Sequence, residues 1–368
     1  MKPLRSTIYL RSVLLVIAVC SARLLAASTQ TNNVEFNDCH FHLTNYIQQG
    51  TNIHDFLNII GTSVGRVAIF GIPLQQQWSY RVDGAKAPAY YLNTDAPLYY
   101  YSFTDAWIAM AYKSLTEEQR SRLDPMITGF NPTDMYAADH IRRVLQTFPG
   151  VFTGIGEFSI HKEFVSAKIA GEVASLQDPA LDRILDFAGE VGLVVLIHND
   201  MDVPFAKEGS QPAYLNQMKA VFKQHPNTTI IWAHTGMGRV VRPIKNHAAN
   251  VEEILRDPTF GHVYFDISWD EVAKYIVASP EATRITADLI NRYPDRFLFG
   301  TDEVAPRDWA MYSRVFYQYK PLWNLLSAEA SLKVRRGNYE RIFDEGQRKV
   351  RSWENAHASG IRPDKERP

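Results

Sequence analysis

Beyond residue 33, short apolar runs recur along the chain, most of them followed by a longer amphipathic stretch. Eight runs read as strands: VEFNDCHFH (34–42), GRVAIFGI (65–72), PMITGFN (125–131), VFTGIGEF (151–158), LVVLIHN (193–199), TTIIWAH (228–234), GHVYFDIS (261–268) and RFLFGTD (296–302). Between them, DPALDRILDFAGEVG (178–192) and YLNQMKAVFKQHPN (214–227) place apolar residues at i, i+3 and i+4 and stop at Gly or Pro-Asn, as helices do. Eight buried strands joined by helical crossovers predict an α/β fold, a (β/α)8 TIM barrel, over roughly residues 29–345. A doubly wound open sheet is the competing arrangement, and the lack of a GxGxxG after the first strand weighs against it.

Three stretches depart from the repeat. Residues 75–124, rich in aromatics (WSY, AYYLN, PLYYYSF), form an insertion after the second strand. In a barrel such an insertion sits on the face where the strands end, as a lid or pocket wall, or else as a satellite cluster or oligomer contact. The tail from 346 is polar and charged and is expected to fray. At the other end, Lys2, Arg5 and Arg11 precede SVLLVIAVC and the small residues of LLAAS. That order reads as a signal peptide over 1–28, with export to the periplasm or the exterior; an uncleaved membrane anchor is the alternative. A bulky Val19 disfavours lipid attachment at Cys20.

Charge narrows the partners. The chain has 368 residues and a formal charge of −1. Of its 39 Lys and Arg, four lie in the first 28 residues, leaving 35 against 40 Asp and Glu. A mildly acidic body excludes long nucleic acid as the main partner and leaves a small molecule, with homo-oligomerisation open. Cys20 and Cys39 are the two cysteines, so cleavage of the leader leaves no internal disulfide. Cys39 is expected to pack outward against a helix as a small hydrophobe.

The strand ends hold the candidate chemistry. His40 and His42, two apart in a strand, share one face. Glu157 ends GIGE, His198 ends VLIH, His234 ends IIWAH and Asp302 ends LFGTD. Each follows a run expected to be buried, where an ionisable group is costly unless a partner or metal compensates. At the carboxyl ends of barrel strands all six converge on one mouth. Four imidazoles and two carboxylates suit a divalent metal, Zn²⁺ first, with Mn²⁺ or Fe²⁺ as alternatives.

The order HxH, GE, IH, AHTG, GTD resembles the amidohydrolase superfamily, most of all its amidohydrolase-related branch. SLKVRRGNYERIFD (331–344) is similar to that branch's final helix. The resemblance spans about residues 34–345 and implies a metal-dependent barrel enzyme. It places His40, His42, His198 and Asp302 in the first-metal ligand set. His234 falls where some members have a second-metal ligand and others a general acid/base, and Glu157 where DNase-like relatives carry a carboxylate in a binuclear site. One ion or two stays open at this point. The implied activity is hydrolysis of an ester, lactone or amide, with Asp302 as general base and His234, as imidazolium or through a second metal, stabilising charge on the attacked oxygen. Non-oxidative decarboxylation of an aromatic or unsaturated acid is the alternative, and hydrolysis of a small phosphoester a third.

Three further residues are candidates for substrate binding. Arg239, in HTGMGR, has the planar fork for a carboxylate or phosphate, or forms a surface ion pair. His161 lies four residues past Glu157, over the mouth or on a loop surface. Trp269 follows the seventh strand and lines the pocket or opens the next helix.

Overall fold

A computed structural model describes residues 34–357, apart from 172, 208–209 and 242–245. The expected signal peptide lies outside the described residues. Eight parallel strands follow one another around the sheet in chain order: Phe36–His42, Val64–Phe70, Leu123–Ile127, Gly154–Ser159, Val194–His198, Ile230–Trp232, Val263–Asp266 and Phe297–Leu298. The eighth is broken. Phe297–Leu298 pairs with the seventh strand, while Glu303–Val304, six residues on, pairs with the first. Cys39 N–H donates to the Phe299 carbonyl and Asp302 N–H to the His40 carbonyl. One interrupted run therefore joins the two ends of the sheet and makes it a barrel.

Alternation along the strands sorts the core into two layers. Val195 and Ile197 face the helices, while Val194 and Leu196 line the interior with Ala68, Phe70, Met126, Ile231 and Leu298. Cys39 belongs to this inner cluster and does not pack outward. The first strand shifts register against the second between Asp38 and Phe41, so strict alternation fails there and Cys39 points inward alongside the histidines. Its thiol, pushed well up by burial, stays protonated.

The crossover helices form where the pattern predicts. Asp178 caps Pro179–Val191 by accepting from Ala180 N–H, and Gly192, at φ 84°, ends it in the left-handed conformation that glycine takes most readily. Leu181, Ile184, Leu185 and Ala188 make its buried stripe. Leu215–Gln224 is the second expected helix. No helix of the described residues is long and apolar enough to cross a membrane.

Two expected boundaries move. Helix Phe103–Lys113, within the predicted insertion, buries Ile108, Ala109 and Tyr112 in the main core and belongs to the barrel's outer layer. The insertion is thus shorter, about 74–102, built on an antiparallel pair (Leu74–Gln76 with Leu98–Tyr100) and a satellite cluster of Tyr46, Ile72, Tyr91 and Val165. The predicted tail does not fray at 346. A helix runs from Asn338 to His357 and buries Gly346, Val350 and Trp353, a narrow stripe on an otherwise charged surface.

Candidate metal centre

The six strand-end residues meet. His40, His42, Glu157 and Asp302 each offer a donor atom within 4.8 Å of the others. Glu157, His198 and His234 form a second such group, and His40, His234 and Asp266 a third. Asp302 Oδ1 lies 3.2 Å from His40 Nε2 and 3.1 Å from His42 Nε2. Glu157 Oε2 stands 3.4 Å from His42 Nε2. Donors about 2.0–2.2 Å from a tetrahedral ion are separated by about 3.3–3.6 Å along each edge, close to these three spacings. His198 sits apart from that quartet. Its Nδ1 faces Glu157 Oε1 at 2.6 Å and its Nε2 faces Asp200 Oδ1 at 3.0 Å, so both nitrogens are engaged by carboxylates.

Hydrogen bonds behind the rings decide which nitrogen faces the centre. His40 Nδ1–H donates to Asp266 Oδ2 at 2.9 Å and His42 Nδ1–H to the Gly71 carbonyl at 3.2 Å. His234 Nδ1–H donates to Ser268 Oγ at 2.9 Å, and that hydroxyl donates to Asp266 Oδ1 at 2.7 Å. Each ring, when neutral, is left with an Nε2 lone pair turned inward. The Nε2 atoms of His40 and His234 are buried without a hydrogen-bond partner. Lone pairs converging on carboxylate oxygens in a closed space repel unless a cation or protons lie between them, so this donor set fits a divalent ion.

The electrostatics agree. Burial opposes ionisation of Asp302, but His40 and His42 outweigh it and hold the carboxyl well below the usual carboxylate range. Burial likewise opposes the charge on Glu157, and Lys162 and His198 overcome it. For His40, burial is outweighed by Asp302 and Asp266, which raise its pKa well above the usual histidine value. His234 goes the other way: burial lowers it, with neighbouring His198 adding to the effect. A neutral His234 is a lone-pair donor, which does not suit the imidazolium role the sequence suggested.

Backbone constraints place these groups. Gly156 has φ 119°, and a Cβ there would lie 2.1 Å from the Leu196 carbonyl oxygen, so only glycine lets the fourth strand deliver Glu157. A Cβ at Gly300 would come 2.7 Å from that of His40.

Comparison with known proteins follows from this geometry. A family model described as Amidohydrolase matches residues 38–344. The chain belongs to the amidohydrolase family. It is a metal-dependent enzyme of that superfamily. Comparison with the curated proteins gives no match. Among solved structures, the chain is similar to a putative 2-pyrone-4,6-dicarboxylic acid hydrolase from Pseudomonas putida, at 13% identity and TM-score 0.52 over 85% of this chain and 98% of that one. A probable hydrolase of the same name from Acinetobacter baumannii gives 12%, 0.50, 84% and 100%. A 2,6-dihydroxybenzoate decarboxylase complexed with 2,6-dihydroxybenzoate gives 12%, 0.50, 84% and 99%. At such identities the likeness is one of fold.

Around the amidohydrolase centre the remaining candidates separate. Trp269 packs on His234 with ring centroids 5.1 Å apart, and Lys162 and Arg239 lie 5.6 and 5.3 Å from its ring centroid. Arg239 also bonds Glu271 at 2.7 Å and the hydroxyl of Tyr90, from the insertion, at 3.0 Å. The insertion therefore forms part of the wall beside the centre. His161 instead stacks flat on Tyr214 at 3.8 Å, and none of its hydrogen bonds or ring contacts reaches the donor cluster.

Three residues went unread in the sequence. Asp266 ends VYFD as the other ligands end their runs, and that signal was available. Ser268, two residues on, shares its face. Lys162 lies in an irregular loop that no periodicity marks, yet its Nζ donates to both oxygens of Glu157.

Proposed function

We propose that this amidohydrolase hydrolyses an ester, lactone or amide bond of a small molecule, with Asp302 as general base. The observation that carries this reading is the setting of the Asp302 carboxylate. One oxygen lies against both first-strand histidines, and the other faces the neutral His234 Nε2 at 3.8 Å. His40, His42, Glu157 and Asp302 would hold the ion; Zn²⁺ suits the nitrogen and oxygen donors, with Mn²⁺ and Fe²⁺ as alternatives. A bound divalent ion supplies Lewis acidity and a lowered water pKa. Asp302, kept ionised by its neighbours, takes the proton of the attacking water and returns it to the leaving group. His234 Nε2 accepts the water's other hydrogen and fixes its orientation. Trp269 and Arg239 bound the substrate from the wall side, with Arg239 suited to a carboxylate or phosphate.

The test is turnover of zinc-loaded protein on a panel of lactones, esters, amides and carboxylated phenols. Asp302→Asn is expected to lower kcat by about 10²–10⁴-fold while still binding metal. Normal turnover in the loaded variant would refute the assignment. A second reading, non-oxidative decarboxylation of an aromatic acid, is favoured by one observation: the indole of Trp269, tilted against His234, puts an aromatic ring beside the centre. Carbon dioxide released from a carboxylated phenol, without ester or amide turnover, decides for it. We further propose export through the first 28 residues, which cell fractionation of the full chain tests.

A further inference from the structure

Glu157 belongs to two of the three donor groups, and its oxygens face different ways. Oε2 lies 3.4 Å from His42 Nε2 and 3.8 Å from His40 Nε2, on the side of Asp302. Oε1 lies on the other side, 2.6 Å from His198 Nδ1 and 3.7 Å from His234 Nε2. Each cleft alone resembles a chelating set, and two ions bridged by Glu157 would use both.

Lys162 separates them. Its Nζ, buried with the rest of the side chain, donates to Oε1 at 3.2 Å and to Oε2 at 3.3 Å. A carboxylate oxygen offers about two lone-pair directions. On Oε1 one is taken by His198 and the other by Lys162. The second nitrogen of His198 faces Asp200 Oδ1, so that ring turns no lone pair into the cleft. Trp269 lies against the ammonium group and Glu157 holds it from the other side. Only Oε2 keeps a direction free, and it points toward His40, His42 and Asp302.

We propose that Lys162 sets the number of metal ions: its ammonium group stands where a second divalent ion would bind, and the protein takes one ion, between His40, His42, Glu157 Oε2 and Asp302. This rests on the metal-centre reading above. Charge supports it independently of the hydrogen bonds. Glu157, Asp302 and Asp266 together balance the Lys162 ammonium and one divalent ion. A second would add two positive charges beside the buried ammonium, where uncompensated charge is expensive. Removing the ammonium frees Oε1 and relieves that repulsion.

The experiment strips the full-length protein with chelator, reloads it with zinc alone and counts ions per chain by plasma mass spectrometry. Electron paramagnetic resonance of the manganese-loaded protein reads whether the ions are isolated or coupled. One isolated ion is expected in the parent, two coupled ions in Lys162→Met, and one again in Lys162→Arg. Two ions in the parent overturn the proposal whatever the variants do. One ion in a folded Lys162→Met protein also overturns it, and Lys162→Gln serves the same purpose should the methionine variant fail to fold. No ion in the parent at saturating zinc overturns instead the metal centre on which the proposal depends.

Discussion

Replacing Asp266 by Asn changes one atom in the wall behind the centre and should be felt at the metal. Asp266 Oδ1 accepts from His234 N–H at 2.7 Å, Ser268 N–H at 3.1 Å and Ser268 Oγ–H at 2.7 Å. Oδ2 accepts from His40 Nδ1–H at 2.9 Å. With three donors on one side, the asparagine oxygen takes the Oδ1 position and its amide NH₂ faces His40. Two donors cannot share that contact, so His40 must move its proton to Nε2 or rotate away. Either removes the lone pair directed at Asp302. Loss of such a partner behind a ligating histidine costs about 10–100-fold in metal affinity, or about 1.4–2.7 kcal/mol. Competition of zinc against a chromophoric chelator measures this directly, and far-ultraviolet circular dichroism confirms that the barrel is intact. An unchanged zinc Kd in folded Asp266→Asn would refute the claim that Asp266 sets the tautomer of His40.

Two further perturbations test the fold. Burial pushes Asp105 up to about 7 against the opposing N–H groups of Thr128 and Gly129, so the folded chain keeps a proton that the unfolded chain sheds near 3.8. That contribution to stability is complete below pH 3.8 and is lost as pH rises through about 7. It amounts to at most about 4 kcal/mol. Urea unfolding from pH 5 to 8 should show a shallower decline in Asp105→Asn, and an equal decline would contradict this. Trp353 sits edge-on to Phe187 at 5.8 Å, and its Nε1–H donates to Glu190 Oε1 at 3.3 Å. Trp353→Ala should cost about 3–5 kcal/mol in urea unfolding. A loss under about 1 kcal/mol would show that the last turns of the final helix are dispensable.

The strands and most of the donor set were legible because each buried polar group interrupts an apolar run. Asp302 was found this way although its strand is broken, since LFGTD still ends an apolar run. Asp266 ends VYFD in the same way, but Ile267 follows it and masks the end of the run. Lys162 acts through a contact with Glu157 set by an irregular loop, and nothing local to HKEF predicts it. The final helix failed for a different reason. Gly346, Val350 and Trp353 do fall at helical spacing, but a three-residue stripe is outvoted by the nine charged residues of 346–368 when composition is averaged. The inward turn of Cys39 arises from a register shift that depends on the neighbouring strand.

The interrupted last strand ties two events together. Asp38 accepts from Thr301 N–H at 2.9 Å, Thr301 Oγ1–H at 2.6 Å and the Tyr312 hydroxyl at 2.7 Å, fastening the first strand to the segment that carries Asp302. Until that seam zips, there is neither a finished cylinder nor an aspartate opposite the paired imidazoles. An ion held across it acts as a rivet, contributing about 2.7 kcal/mol at a hundredfold excess over its Kd. Chelation should therefore loosen the amides of 299–304 before any other part of the wall, a sequence that hydrogen exchange can follow residue by residue.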